Sequence, residues 1–186
     1  MNADLFHAGV RRQAVFHPHS RDHRVCLIRE WGDADKAVFI MANPSTADAS
    51  TDDPTIRRCM AFARSWGCGG LWVVNAYTYV SPSPKALKNW LDGLGRWDRE
   101  YWETEALGYT IAATAGTRAP IIAAWGNLIP DLQWAATLAS TLIRQGRKLH
   151  HLGLTKDGHP KHPLARGHHR IPDDQQPIPW AGYGVI

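Results

Sequence analysis

Two asparagines stand where apolar runs stop and one histidine lies in a later basic loop, and their chemistry suits the handling of a planar, polar ligand. Asn43 follows the run Ala37-Val38-Phe39-Ile40-Met41-Ala42, and Asn75 follows Leu71-Trp72-Val73-Val74. A side-chain amide both donates and accepts, so it can read the edge of a nucleobase or hold a water, but it is no strong base. Each Asn could serve only to cap a turn, as Asn often does, and the pair at two strand ends is what favours a ligand site. His162, in Thr155-Lys156-Asp157-Gly158-His159-Pro160-Lys161-His162-Pro163-Leu164, offers an imidazole within a rigid, basic loop suited to stabilising an anion, with Lys156 as a helper. The loop between the first run and the first helix is polar and acidic, with Ser45, Thr46, Asp48, Asp52 and Asp53. Asp53 reads as a helix cap, leaving Asp52 as the candidate carboxylate near a reacting centre.

The elements that must position these groups follow from periodicity. Ala37–Ala42 and Leu71–Val74 read as strands buried on both faces, Ile121–Gly126 as a third, and Lys148–Leu154 as a fourth. Asp53-Pro54 opens a helix carrying Ile56, Cys59, Met60, Ala63 and Trp66, which ends at Gly67. Ser81-Pro82-Ser83-Pro84 breaks the chain before a short helix around 86–91, and Asp98 opens a longer one through about Ala115. Another helix carries Leu132, Ala135, Ala139, Leu142 and Ile143. Strands alternating with helices predict a parallel sheet covered on both faces, with ligands beyond the carboxyl ends of its strands. That places Asn43-Pro44-Ser45, Asn75, Trp125-Gly126 and the His162 loop at one end. Trp125 can stack on a base, although a Trp beside Gly is more often packing. Arg24–Trp31 and Ala14–Phe16 read as an edge hairpin. The expected organisation is one domain: hairpin within 1–31, core over 37–166, irregular tail over 167–186.

Composition sets the outer bounds. The 186 residues carry a net charge of +4, with 44% hydrophobic and 20% charged residues, which is ordinary for a folded domain and only weakly favours polyanions. Three cysteines, Cys26, Cys59 and Cys68, form no CxxC pair and argue against a disulfide framework or a cysteine-held cluster. No segment is apolar for long enough to span a bilayer, so a cytoplasmic protein without membrane partners is expected. A metal site built on the His-rich C-terminal part with Asp52 is conceivable, yet no recognised ligand frame is present and no cofactor is expected. Nucleotide-binding glycine motifs and the nucleophile elbow are absent as well.

The segments Phe39–Asp48, Asp52–Cys59, Val74-Asn75, Ala124-Trp125-Gly126 and His162-Pro163-Leu164 resemble the domain of unknown function 1643 family over most of the chain. A fainter similarity reaches the uracil-DNA glycosylase superfamily, whose motifs come in the same order at the same strand ends. That resemblance implies a three-layer α/β/α sandwich with a central, mostly parallel four-stranded sheet. By it, Asn43 before Pro44 would hold the attacking water, Asn75 would read a flipped base, and Trp125-Gly126 would end the third strand. His162-Pro163 would supply the imidazole, and Leu164 the wedge residue. The departures are an excursion of about ten residues before His162, no Asp at position 43, and too few cysteines for an iron–sulfur branch. The implied activity is hydrolysis of the N-glycosidic bond of a modified or damaged base, with nucleic acid, DNA foremost, or a free nucleobase or nucleotide as partner. A non-catalytic modified-base reader and a metal-dependent hydrolase are the alternatives.

Overall fold

In the computed structural model, which describes residues 9–45 and 47–183, a single mixed sheet of seven strands runs through the molecule. Thr46, named above, lies outside the described residues. The strands are β1 (Arg11–His17), β2 (Ser20–Glu30), β3 (Lys36–Met41), β4 (Gly70–Asn75), β5 (Ile121–Ala123), β6 (Leu149–His151) and β7 (Ile178–Pro179). The helices are α1 (Pro54–Ser65), α2 (Pro84–Gly93), α3 (Arg96–Thr114) and α4 (Leu132–Arg144). The sheet order is β1-β2-β4-β3-β5-β6-β7, with β4, β3, β5 and β6 mutually parallel and the outer strands antiparallel to their neighbours. A four-stranded sheet is therefore too small a description. The four apolar runs form its interior, and chain from both termini widens it.

Successive residues of a strand face opposite sides, so β3 divides its apolar residues between two cores. Val38 and Ile40 join Val74, Leu87, Leu91, Leu138 and Leu142, which puts α2 and α4 against one face. Ala37, Phe39 and Met41 join Leu71, Val73, Ile56, Cys59 and Phe62, which puts α1 against the other. Each of α1 and α2 begins as its sequence dictates. Asp53 Oδ1 accepts from Ile56 N–H, Ser83 Oγ accepts from Ala86 N–H, and a proline takes the first helical position in both.

Two expectations needed correction at the ends of the chain. The hairpin is longer than expected, and β2 pairs with β4 through Leu27–Val73 to Glu30–Gly70. The tail is not simply irregular. Chain from Ile178 pairs with β6, Trp180 N–H donates to Leu149 O at 2.8 Å, and the Trp180 ring enters the core. Propensity gives no warning of a two-residue strand containing proline; edge pairing and a buried indole create it.

The start of β2 is fixed by aromatic packing. His23 stacks on Trp102 with ring centroids 3.5 Å apart, and its Nδ1 lies 2.8 Å from Thr78 Oγ1. Burial pushes its pKa down to about 4, so it packs as a neutral ring. Arg24, the next residue, is thereby anchored beside the end of β4, where its N–H donates to Thr78 O.

Candidate functional site

Beyond the carboxyl ends of the parallel strands lies a cavity of about 250 Å³. The strand order turns there: the chain moves from β3 to β4 on one side and then to β5 on the other, which opens a crevice between loops. Its lining includes Asn43, Ser45, Asn75, Trp125 and His162, brought together from four separate stretches of sequence.

Asn75 is 3% exposed, and neither its Oδ1 nor its Nδ2 has a hydrogen-bond partner among the described residues. Leaving a buried polar atom unpaired costs about 1–3 kcal/mol, so native structures seldom tolerate it away from functional sites. Here both ends of one amide are unpaired at a cavity wall. Asn43 is the opposite case: its Nδ2 donates to Pro44 O at 2.9 Å and to Ser81 O at 3.0 Å. Both amide protons are thus committed, and Oδ1 is the atom that can accept from a water. Pro44 does not line the cavity itself; it acts through its carbonyl, which also accepts from Ser81 N–H at 2.9 Å.

The excursion before His162 is ordered. Leu154 and Pro160 bridge, Thr155 N–H donates to His159 O at 2.8 Å, and the chain returns. Gly126 N–H then donates to Pro160 O at 2.9 Å, and Gly126 has φ +69°, with its missing Cβ position 3.2 Å from His162 Cβ. Trp125-Gly126 is therefore the seat on which His162 rests. An alanine at 126 meets both the left-handed conformation and that close contact. Gly126→Ala is expected to cost about 1–2 kcal/mol in urea unfolding and to move the His162 imidazole resonances; an unchanged His162 signal would remove Gly126 from this role.

His162 Nδ1 accepts from Leu164 N–H at 3.2 Å, which puts the proton of the neutral ring on Nε2. Burial lowers the His162 pKa, and the Asp53 carboxylate partly opposes that. The neutral ring is thus able to donate through Nε2–H. Leu164 contributes this backbone N–H and does not line the cavity. Lys156 is exposed at the tip of the excursion and is not in the lining.

Asp52 is also kept from the cavity. Its Oδ1 pairs with Arg29 Nε at 2.6 Å and its Oδ2 with an Arg12 nitrogen at 3.1 Å. Both oxygens serve to tie the loop to the sheet. The lining carboxylate is Asp53, which sequence reasoning treated solely as a cap. Trp125, 1% exposed, donates its indole N–H to Tyr183 Oη at 2.9 Å and packs edge-on against Trp180. It forms a wall of the cavity more than a free stacking platform.

Arg24, Thr55, Ser81 and Ser83 complete the polar lining that the sequence did not single out. Helix starts at Asp53-Pro54 and Ser83-Pro84 were the available signal, because helix N-termini gather at this end of such sheets. Nothing local marks Arg24, whose position depends on a bulged hairpin pairing near Phe16. The histidines are spread out, with His159 Nδ1 3.1 Å from Tyr183 Oη and His151 Nδ1 accepting from Gly153 N–H. Among the described residues, no three His, Cys, Asp or Glu side chains converge as a metal site would need. No helix is long and apolar enough to cross a membrane among those residues.

A family model described as a protein of unknown function, DUF1643, matches residues 24–164. No curated protein and no solved structure matches the chain.

Proposed function

We propose that this chain, which belongs to the DUF1643 family, binds a flipped nucleobase in the strand-end cavity and hydrolyses its N-glycosidic bond. The observation that carries this is the buried amide of Asn75, a donor and an acceptor side by side with no partner among the described residues. Nucleobase edges present such pairs, and a base drawn out of a stack is read by such groups in a fitted pocket. The resemblance to the uracil-DNA glycosylase superfamily supports the same reading, since its motifs correspond here to residues at the ends of β3, β4 and β5 and beyond β6.

The chemistry is dissociative. The C1′–N bond breaks with its electron pair departing on the base, so the sugar gains positive and the base negative charge. The His162 Nε2–H donates to the leaving base, a role for which a neutral imidazole is suited. Asn43 Oδ1 orients the water that adds to C1′, and the Asp53 carboxylate receives or relays its proton. Asn75 selects the base, Ser45 and Trp125 bound the space it occupies, and DNA is the foremost carrier.

The test is release of free base, scored as abasic product, from a panel of single- and double-stranded DNAs holding modified or damaged bases. His162→Ala is expected to slow excision about 10²- to 10³-fold with little change in base binding. Any change in rate that follows protonation of His162 is expected at a lower pH than for an ordinary histidine, because burial lowers its pKa. Release of no base across the panel, with binding intact, selects the second reading, a modified-base reader. That reading is favoured by the Asp53 cap bond, which engages the only carboxylate in the lining among the described residues.

A further inference from the structure

We infer that the cavity takes a nucleotide, with an anionic phosphate seated on Arg24 beside the base edge held by Asn75. This rests on the nucleobase reading above and adds the part of the ligand that reading does not specify.

Two arginines of β2 are buried, Arg24 at 4% and Arg29 at 0% exposure. Arg29 has its anion within the chain, since Asp52 Oδ1 lies 2.6 Å from its Nε. Arg24 makes no ion pair among the described residues. One terminal nitrogen donates to Ala47 O, and its Nε has no partner among the described residues. A buried cation costs several kcal/mol unless an anion accompanies it. Arg24 lines the cavity, so the missing anion can reach it from there.

Two further features favour negative charge at that place. α1 and α2 both begin on the cavity wall, through Thr55 and Ile56 and through Ser83 and Pro84, and helix N-termini carry partial positive charge. Asp53 is the opposing group; its field reaches Arg24, but one of its oxygens is bonded to Ile56 N–H. Arg24 and Asn75 both line this one cavity, so they can meet two groups of one small molecule. The phosphate is that of either a free mononucleotide or a nucleotide within a strand, and the two are separable.

Calorimetric titration of the full chain decides the matter, using the four common nucleosides and a panel of modified and damaged ones, their 5′-monophosphates, inorganic phosphate and short single-stranded oligonucleotides holding the same bases at fixed ionic strength. At least one monophosphate is expected to bind tenfold or more tightly than its nucleoside. That margin should vanish in Arg24→Gln and survive in part in Arg24→Lys. Equal binding of nucleoside and monophosphate, or a margin indifferent to Arg24→Gln, overturns the proposal. If Arg24→Gln does not fold, competition replaces it: inorganic phosphate must weaken the monophosphate and leave the nucleoside untouched, and failure to do so is equally fatal. A phosphate margin that depends on Arg24, found with nucleosides that show no preference among bases or a preference indifferent to Asn75→Leu, supports the Arg24 site while sinking the nucleobase reading. Nucleosides that bind through Asn75 without a phosphate margin do the reverse, and no binding by any probe contradicts both. A tighter oligonucleotide with the same Arg24 dependence identifies the strand as the phosphate source; a tighter mononucleotide identifies the free ligand.

Discussion

Asn75→Leu is expected to make the protein more stable and unable to read its ligand. Leucine is similar in size and removes two buried polar atoms that have no partner among the described residues. Releasing an unsatisfied group is worth about 1–3 kcal/mol, which for a chain of this length raises the melting temperature by about 2–12 °C. The same change deletes a paired donor and acceptor whose contact with a base is worth about 1–3 kcal/mol, or roughly 5- to 150-fold in affinity. Thermal melting and base titration of one variant give both numbers. A purely structural asparagine predicts the opposite sign in the melt, because its loss would then remove bonds the fold uses. The gain in stability together with the loss of binding is the signature of a group held in reserve for a ligand.

Arg29→Met is expected to be the most damaging single change to the fold. Its guanidinium is fully buried and bonds Asp52 Oδ1 and Asp48 O at 2.6 Å each, and Ile28 O at 2.8 Å. Removing one partner of a buried ion pair costs about 3–5 kcal/mol, since the other charge is left behind. Arg12 still reaches Asp52 Oδ2, but Oδ1 loses its partner. The expected fall in melting temperature is about 6–20 °C, and the double change Arg29→Met with Asp52→Leu should recover most of it. A single variant that melts like the parent would show that the pair does not hold the loop. The functional consequence is local: this pair pins the segment that ends in Asp53 and starts α1, so a loosened loop also blurs one wall of the cavity.

How far the sequence could be read follows from the range of the forces involved. The interior strands were legible because burial on both faces demands unbroken apolar residues, as in Phe39-Ile40-Met41 and Leu71-Trp72-Val73-Val74. The starts of α1 and α2 were legible because Asp53-Pro54 and Ser83-Pro84 carry their own capping bonds. The tail was not, since β7 exists through pairing with β6 and through Trp180, which is distant in sequence from the core it joins. The same contrast runs through the site. Asn43 and Asn75 stand at strand ends and His162 in a His-Pro loop, and all three could be singled out. The capture of Asp52 by Arg12 and Arg29, and the arrival of Arg24 at the cavity, depend on how a hairpin registers against β4. A carboxylate in a polar loop looks the same whether it faces a substrate or an arginine from another strand.

The account depends most on the Asn75 amide meeting a base, and side-chain amide resonances report that directly. Titrating the labelled protein with nucleobases and nucleotides should shift the Asn75 Nδ2H₂ signals saturably, together with the His162 ring. The Asn43 amide protons, already bonded to Pro44 and Ser81 carbonyls, should move less. Saturable binding that leaves the Asn75 amide unmoved would contradict the account.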